Sequence, residues 1–243
     1  MFSHSQKKLN LMLPRLVMGL LWALMLSACA IEFPVPKHPI MGSDFVLPDY
    51  KVTLQTEMER AAFQVKLFSL NYPDCVSGFL DYIEFDGSIN KDAVDAFRNI
   101  LPQAQGCKTR AGLLLYPFVY LNSSEGTSKD GMALGELLRI YNIETVVTQG
   151  QVCRGACALA FMGGKLRAIQ DTGLVVFASS KTRGGGFGCE RASEQVSMRE
   201  YLQKMMMPAA SDRLYFNLLN YCTRPTGWTL SAGSAPSWGV TNE

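Results

Sequence analysis

Between Leu113 and Arg167 the chain alternates apolar blocks with short polar turns. Leu113 to Leu121 is a continuous apolar run with the length and the aromatic and β-branched content of a buried strand. A polar stretch containing glycine, Asn122 to Gly131, follows it. Leu134, Leu137, Leu138 and Tyr141 then recur at helical spacing, with Asp130 placed to cap that helix. Glu144 to Thr148 reads as a second short strand. Ala156 to Met162 opens a second helix that stops at Gly163-Gly164. Strand, helix, strand, helix predicts an α/β fold, a mainly parallel sheet with crossover helices around it. Ligands meet such sheets at the carboxyl ends of strands. Two turns therefore matter most: Ser124-Glu125-Gly126-Thr127 and Cys153-Arg154-Gly155-Ala156-Cys157.

Upstream, Glu57 to Leu70 is expected as a short helix on the domain edge, and Phe79 to Phe85 as the first core strand, turned by Asp86-Gly87. Asn90 is placed to cap a helix whose Val94, Phe97 and Leu101 share a face. Gln103 to Arg110 is a polar connection. Downstream, Gly173 to Phe177 is another buried strand, and Ser179 to Gly188 a glycine-rich loop. Met198, Tyr201, Leu202 and Met205 mark a helix face, best read as core. Pro208 breaks that helix, and Ser211 can cap another carrying Leu214, Leu218 and Cys222. Ala235 to Thr241 is expected to turn into a last short strand.

The first 28 residues do not fit this pattern. Lys7, Lys8 and Arg15 precede an apolar stretch, Leu16 to Leu26, too short for a comfortable membrane span. Leu26-Ser27-Ala28-Cys29 looks like a bacterial lipobox. That resemblance implies a signal peptide over 1–28, cleaved before Cys29, and lipid, including palmitate, on the cysteine. Ala30 after it favours the outer membrane by the same resemblance, hence a protein anchored to the membrane through Cys29 on the periplasmic face. The alternative is an ordinary secretory signal with a chance cysteine. Residues 29–58, with Pro34, Pro36, Pro39 and Pro48, read as a tether, and 59–243 as the domain. Formal charge is +2. Losing the leader takes the 23 basic residues down by three, to 20 against 21 acidic, or −1. No basic patch stands out that would point to a nucleic-acid partner.

Six cysteines remain after Cys29: Cys75, Cys107, Cys153, Cys157, Cys189 and Cys222. An even number in an exported chain favours disulfides. Metal is the rival reading. No Cys-x-x-Cys pair occurs, and His38 is the one histidine beyond the leader, so neither a metal nor another cofactor is expected. Cys153 and Cys157 lie four apart across a strand-to-helix turn, where Cα atoms can approach within the ~4.4–6.8 Å that a disulfide needs. They are expected to pair, leaving Cys75 with Cys107 and Cys189 with Cys222.

The order of several short motifs carries a family resemblance. Phe85-Asp86-Gly87-x-Ile89, a strand followed by Ser124-x-Gly126 and a helix, Thr145-Val146-Val147, Cys153-x-Gly155-Ala156-Cys157, Gly163-Gly164-x-x-Arg167 and Ala235-x-x-Trp238-Gly239-Val240-Thr241 together resemble the Clp protease/crotonase superfamily, and its exported bacterial branch most. The resemblance covers Phe79 to Thr241. It implies a spiral of ββα units on a mainly parallel sheet, in proteins that are commonly oligomeric. Its peptidases carry a nucleophilic serine where this chain has Gly155, and a histidine base at the position matching Ala178. Both catalytic side chains are therefore degenerate. The family's oxyanion donors are backbone N–H groups, which map to Thr127 and Ala156, so Gly126, Thr127, Gly155 and Ala156 are the expected remnant of a ligand pocket. Backbone donors survive side-chain change. Thr127 replaces a glycine, however, and a β-branched residue resists positive φ.

A Ser-His mechanism needs a base beside the hydroxyl, and His4 and His38 lie in the leader and the tether. A displaced Ser-Lys centre would draw on Ser179, Ser180, Lys165 and Lys181, which read more simply as surface residues. Glu125 sits where crotonase-type chemistry would place a carboxylate, but an exported domain meets little coenzyme A. A nucleophilic Cys153 or Cys157 would need a free thiol of low pKa. The expectation is an inactive member of the superfamily that binds a peptide, a protein partner or its own copies. A Ser-Lys hydrolase and a purely structural envelope lipoprotein are the alternatives.

Overall fold

The computed structural model describes residues 51–178, 192–221 and 226–242, all within one unit, 37–243. It begins with an antiparallel hairpin, β1 (Val52–Arg60) and β2 (Phe63–Asn71). In β2, Phe63, Val65 and Leu67 are buried while Gln64 and Lys66 turn to the other face. That period of two would scatter these side chains around a helix. Two expectations are corrected here: Glu57–Leu70 is not a helix, and the span 29–58 is not all tether, because β1 already belongs to the sheet at Val52.

β3 (Phe79–Gly87) pairs antiparallel with β2. β4 (Cys107–Lys108) and β5 (Leu114–Leu115) form a small separate hairpin. Pro117, which cannot donate to a ladder, separates β5 from β6 (Phe118–Asn122), so the run Leu113–Leu121 is two strands rather than one. β7 (Glu144–Val147), β8 (Val152–Arg154), β9 (Arg167–Ile169), β10 (Leu174–Phe177) and β11 (Trp228–Ser231) complete the set. The main sheet runs β1-β2-β3-β6-β7-β9, parallel from β3 onward, and the second sheet β11-β10-β8. The fold is α/β with a mainly parallel sheet and surrounding helices. Three-residue strands such as β8 and β9 carry no period of their own and escaped the sequence reading.

The helices are α1 (Lys91–Ile100), α2 (Ser128–Ile140), α3 (Ala156–Met162), α4 (Ala192–Met205) and α5 (Pro208–Tyr221). Asn90 caps α1, its side chain accepting from the Ala93 N–H at 2.9 Å. α2 is capped not by Asp130 but by Thr127, whose Oγ1 accepts from the Asp130 N–H at 3.1 Å and donates to Asp130 Oδ2 at 2.7 Å. Spacing three residues apart suits either role, and the residue with extended backbone takes the cap. Ser211 lies inside α5, its hydroxyl donating to the Pro208 carbonyl, because Pro208 starts that helix instead of ending the one before. The tail forms a 3₁₀ turn, Pro236–Trp238, and no strand.

Val65, Leu67, Ile83, Phe85, Val119 and Leu121 on one face of the main sheet meet the helices in the larger core. α3 is buried along its whole length. The opposite face buries Tyr82, Phe118, Val146 and Ala168 in a smaller core. Beside them the Cys75–Cys107 disulfide, Cα atoms 5.6 Å apart, joins the chain ahead of β3 to β4.

Two devices fix α3. A Cβ at Gly131 of α2 would stand 2.3 Å from the Ala156 carbonyl oxygen, and one at Gly163 only 2.1 Å from that of Gly135, so the backbones touch. Tyr201 of α4 donates its hydroxyl to the Leu159 carbonyl at 2.6 Å. Arg167, 3% exposed, then ties the end of the chain to β9. Its guanidinium donates to the carbonyls of Val240 (2.7 Å), Gly239 (3.2 Å), Gly164 (3.3 Å) and Met205 (3.4 Å). Burial, with Arg139 close by, pushes its pKa down to about 10. The Gly163-Gly164-x-x-Arg167 motif and the closing Trp238-Gly239-Val240 motif are thus two halves of one contact.

Candidate functional site

The two turns singled out in the sequence come together. After β6, the Ser123 N–H donates to the Val152 carbonyl at 3.2 Å, and the Ser123 carbonyl accepts from Arg154 at 2.7 Å, which joins the rim of the main sheet to β8. The Glu125 carbonyl accepts from Ile89 at 3.0 Å. Gly126 has φ +136, where a Cβ would stand 2.3 Å from the Ile89 carbonyl oxygen and 2.8 Å from the Ala156 Cβ. Only glycine fits there. Thr127 itself is extended, φ −99 and ψ 149, so the positive dihedral falls on Gly126 and the β-branched residue costs nothing.

The second turn is a sharp strand-to-helix elbow. Gly155 has φ 61 and ψ −112, and its N–H donates to the Val176 carbonyl of β10 at 2.9 Å. The Cys153–Cys157 disulfide spans it, Cα atoms 5.0 Å apart and both residues fully buried, as their spacing predicted. Cys189 and Cys222 lie outside the described residues, as do Cys29, His4, His38, Ser179, Ser180 and Lys181. An elbow of this kind exposes a nucleophile in the hydrolases that use one. Here it carries a glycine, and no hydroxyl.

Ala156 begins α3 and Thr127 caps α2, positions whose N–H groups a helix leaves without an internal acceptor. Gly126 of the first turn and Ala156 of the second are neighbours. The base position is closed. Ala178 is 1% exposed, and Gly227 packs so tightly on it that a Cβ there would lie 2.6 Å from the Ala178 Cβ. Histidine is absent from the described residues. Lys165 sits past the far end of α3 from Gly155, roughly 10 Å away along the axis at 1.5 Å per residue. That distance separates it from the elbow.

Two cavities open at the carboxyl ends of the parallel strands, and the four turn residues line neither. One, about 420 Å³, lies over the sheet face away from the helices, lined by Gln64, Lys66, Glu84, Asp86, Tyr120 and Asn122 with Thr148 and Gln151. The other, about 350 Å³, continues over the rim past Ser123, Ser124 and Glu125, sharing Asp86 and Asn122. In register, Lys66 stands opposite Glu84 and Glu84 beside Tyr120, while Gln64, Asp86 and Asn122 form the next row. Asn122 donates to Asp86 Oδ2 at 2.5 Å, and Gln64 to Glu57 Oε1 at 2.9 Å. Lys66 also pairs with Glu57 at 3.4 Å. Burial raises the Glu84 carboxyl above its ordinary value, and Lys66 offsets this in part. The Tyr120 hydroxyl is raised by burial and then by Tyr82 and Glu84.

This polar face was missed in the sequence, where β3 and β6 read as buried strands. The signal was there in Tyr82-x-Glu84-x-Asp86 and Tyr120-x-Asn122, polar groups at a period of two. Among the described residues no cluster of histidine, cysteine and carboxylate side chains could hold a metal.

No family model matches the sequence, and no curated protein matches it. Among solved structures the chain is similar to two mutants of the 1510-N membrane-bound stomatin-specific protease, both at 13% identity. One, in complex with a substrate peptide, covers 65% of this chain and 71% of that one at a TM-score of 0.45. The other covers 65% and 75% at 0.47. ClpP1 from Listeria monocytogenes, also 13% identical, covers 64% and 85% at 0.43. At that identity the likeness is one of fold alone.

Proposed function

We propose that this chain is an envelope lipoprotein, anchored through Cys29 on the periplasmic face of the outer membrane. Its domain, in this reading, is a Clp-like scaffold that binds a peptide, a protein partner or further copies of itself without cleaving anything. The observation that carries the reading is Gly155. The elbow, its disulfide and its clamp to β10 are intact, while the residue at its apex has no side chain. A hydroxyl without a base is a poor nucleophile, and here even the hydroxyl is missing. Ala178 adds to this, since an imidazole at that buried position would have to displace Gly227. Of the four residues expected to provide an alternative Ser-Lys centre, Lys165 lies past the far end of α3 from the elbow, and Ser179, Ser180 and Lys181 lie outside the described residues.

A fluorophosphonate probe tests the reading on the purified full chain, because only an activated serine is labelled. No labelling and no hydrolysis of peptide or ester substrates is the expected result. Labelling that disappears on Ser179→Ala or Ser180→Ala would overturn it and establish the displaced centre.

A further inference from the structure

The cavity on the sheet face is a second candidate site, separate from the elbow. From its lining we infer that it binds a neutral oligosaccharide, the hydroxyls held by Gln64, Asp86 and Asn122 and one sugar face set against Tyr120. The floor of the cavity is β2, β3 and β6, each with a strand on both sides. Their main-chain groups are already spent on the ladders, so a peptide cannot be held there by strand addition, which needs a free edge. Phe85 and Leu121, the two large apolar residues of the lining, turn their side chains into the helical core. Recognition falls to side chains that are polar and planar.

Those side chains suit a polyol. Three carboxamides, Gln64, Asn122 and Gln151, each offer donors and an acceptor, and Glu84 and Asp86 accept. Vicinal hydroxyls present the same mixture. The charge argues against an anionic ligand: Lys66, the one cation of the lining, faces Glu84 in register and is also paired with Glu57. At about 420 Å³ the cavity falls within the usual range for small-molecule sites. The Asn122–Asp86 hydrogen bond, 2.5 Å, holds the central pair in place before any ligand arrives.

The inference is independent of whether the elbow is catalytic. Its test is calorimetry and saturation-transfer NMR on the full chain in detergent, with chitotetraose, maltotetraose and cellotetraose as probes and a neutral alanine-glycine hexapeptide as comparison. Binding of at least one tetrasaccharide with a Kd of about 1 mM or tighter is expected, weakened roughly tenfold by Asn122→Ala and by Gln64→Ala. Lys91→Ala, on the surface of α1, should bind as the wild type does. Thermal melts of each variant separate lost binding from lost folding, and Gln64→Ala, on a half-exposed side chain, serves if Asn122→Ala does not fold. Three results would each overturn the inference: no binding by any tetrasaccharide at about 10 mM, binding that survives both substitutions in folded protein, or hexapeptide binding as tight as the best saccharide. Fluorophosphonate labelling on the same sample reports on the proposed function separately.

Discussion

Gly131→Ala probes the contact on which the elbow rests. The new methyl carbon would stand 2.3 Å from the Ala156 carbonyl oxygen and 2.8 Å from both its carbonyl carbon and its Cα. All three are backbone atoms of the residue that opens α3, so no side-chain rotation relieves the contact. Heavy atoms settle near roughly 3.5 Å apart, so α2 must shift by about 1 Å against a close-packed core. Forced overpacking of this kind costs about 1–3 kcal/mol. Alanine is the better helix former by about 1 kcal/mol, which leaves a net loss of up to roughly 2 kcal/mol. For a domain of this size that lowers Tm by up to roughly 8 °C. The assay is urea unfolding, where the midpoint should fall while the slope stays constant, together with thermal melting. Gly233→Ala is the control, because a Cβ there meets nothing within 4 Å. Stability above wild type for Gly131→Ala would show that α2 does not lie against Ala156, and the positioning of both turns would have to be reconsidered.

Three further outcomes are expected. Cys29→Ala should abolish lipidation and leave unprocessed precursor, since the acylated sulfur is the proposed anchor; a variant that still matures and fractionates with membrane would refute the anchor. Non-reducing peptide mapping should join Cys189 to Cys222, the two cysteines left once Cys75–Cys107 and Cys153–Cys157 are formed, and either one found alkylatable in native protein would refute that pair. Alkaline stability should fall as pH rises above about 10, the ordinary tyrosine value. Burial raises the hydroxyls of Tyr82, to about 12, and of Tyr120 and Tyr201. A raised folded pKa gives stability that is complete below the ordinary value and is lost as pH climbs through the folded one. Arg167, pushed down to about 10, works the other way over the same range. Tyr201→Phe should lose roughly 1 kcal/mol at neutral pH with the Leu159 hydrogen bond, yet show a shallower alkaline decline; a decline as steep as wild type in pH-dependent urea unfolding would rule out Tyr201 as a source.

What the sequence alone determined was whatever short-range pattern and composition dictate. The i, i+3, i+4 spacing of Leu134, Leu137 and Leu138 made α2 legible. Gly163-Gly164 ended α3, and the four-residue separation of Cys153 and Cys157 limited their bridge to one local geometry. The absence of histidine beyond His38 excluded a Ser-His centre in the domain before any coordinate was known. Other features were decided only by the tertiary structure. Glu57–Leu70 became a hairpin because β2 could bury Phe63, Val65 and Leu67 against helices far along the chain. Arg167 could not be recognised as the clasp on Gly239 and Val240 from its own surroundings, since its partners lie more than seventy residues away. The polar cavity has the same origin. Gln64, Asp86 and Asn122 belong to three separate strands, and they form one surface only because strand pairing sets them in register on a single face of the sheet, a long-range arrangement that no local period records.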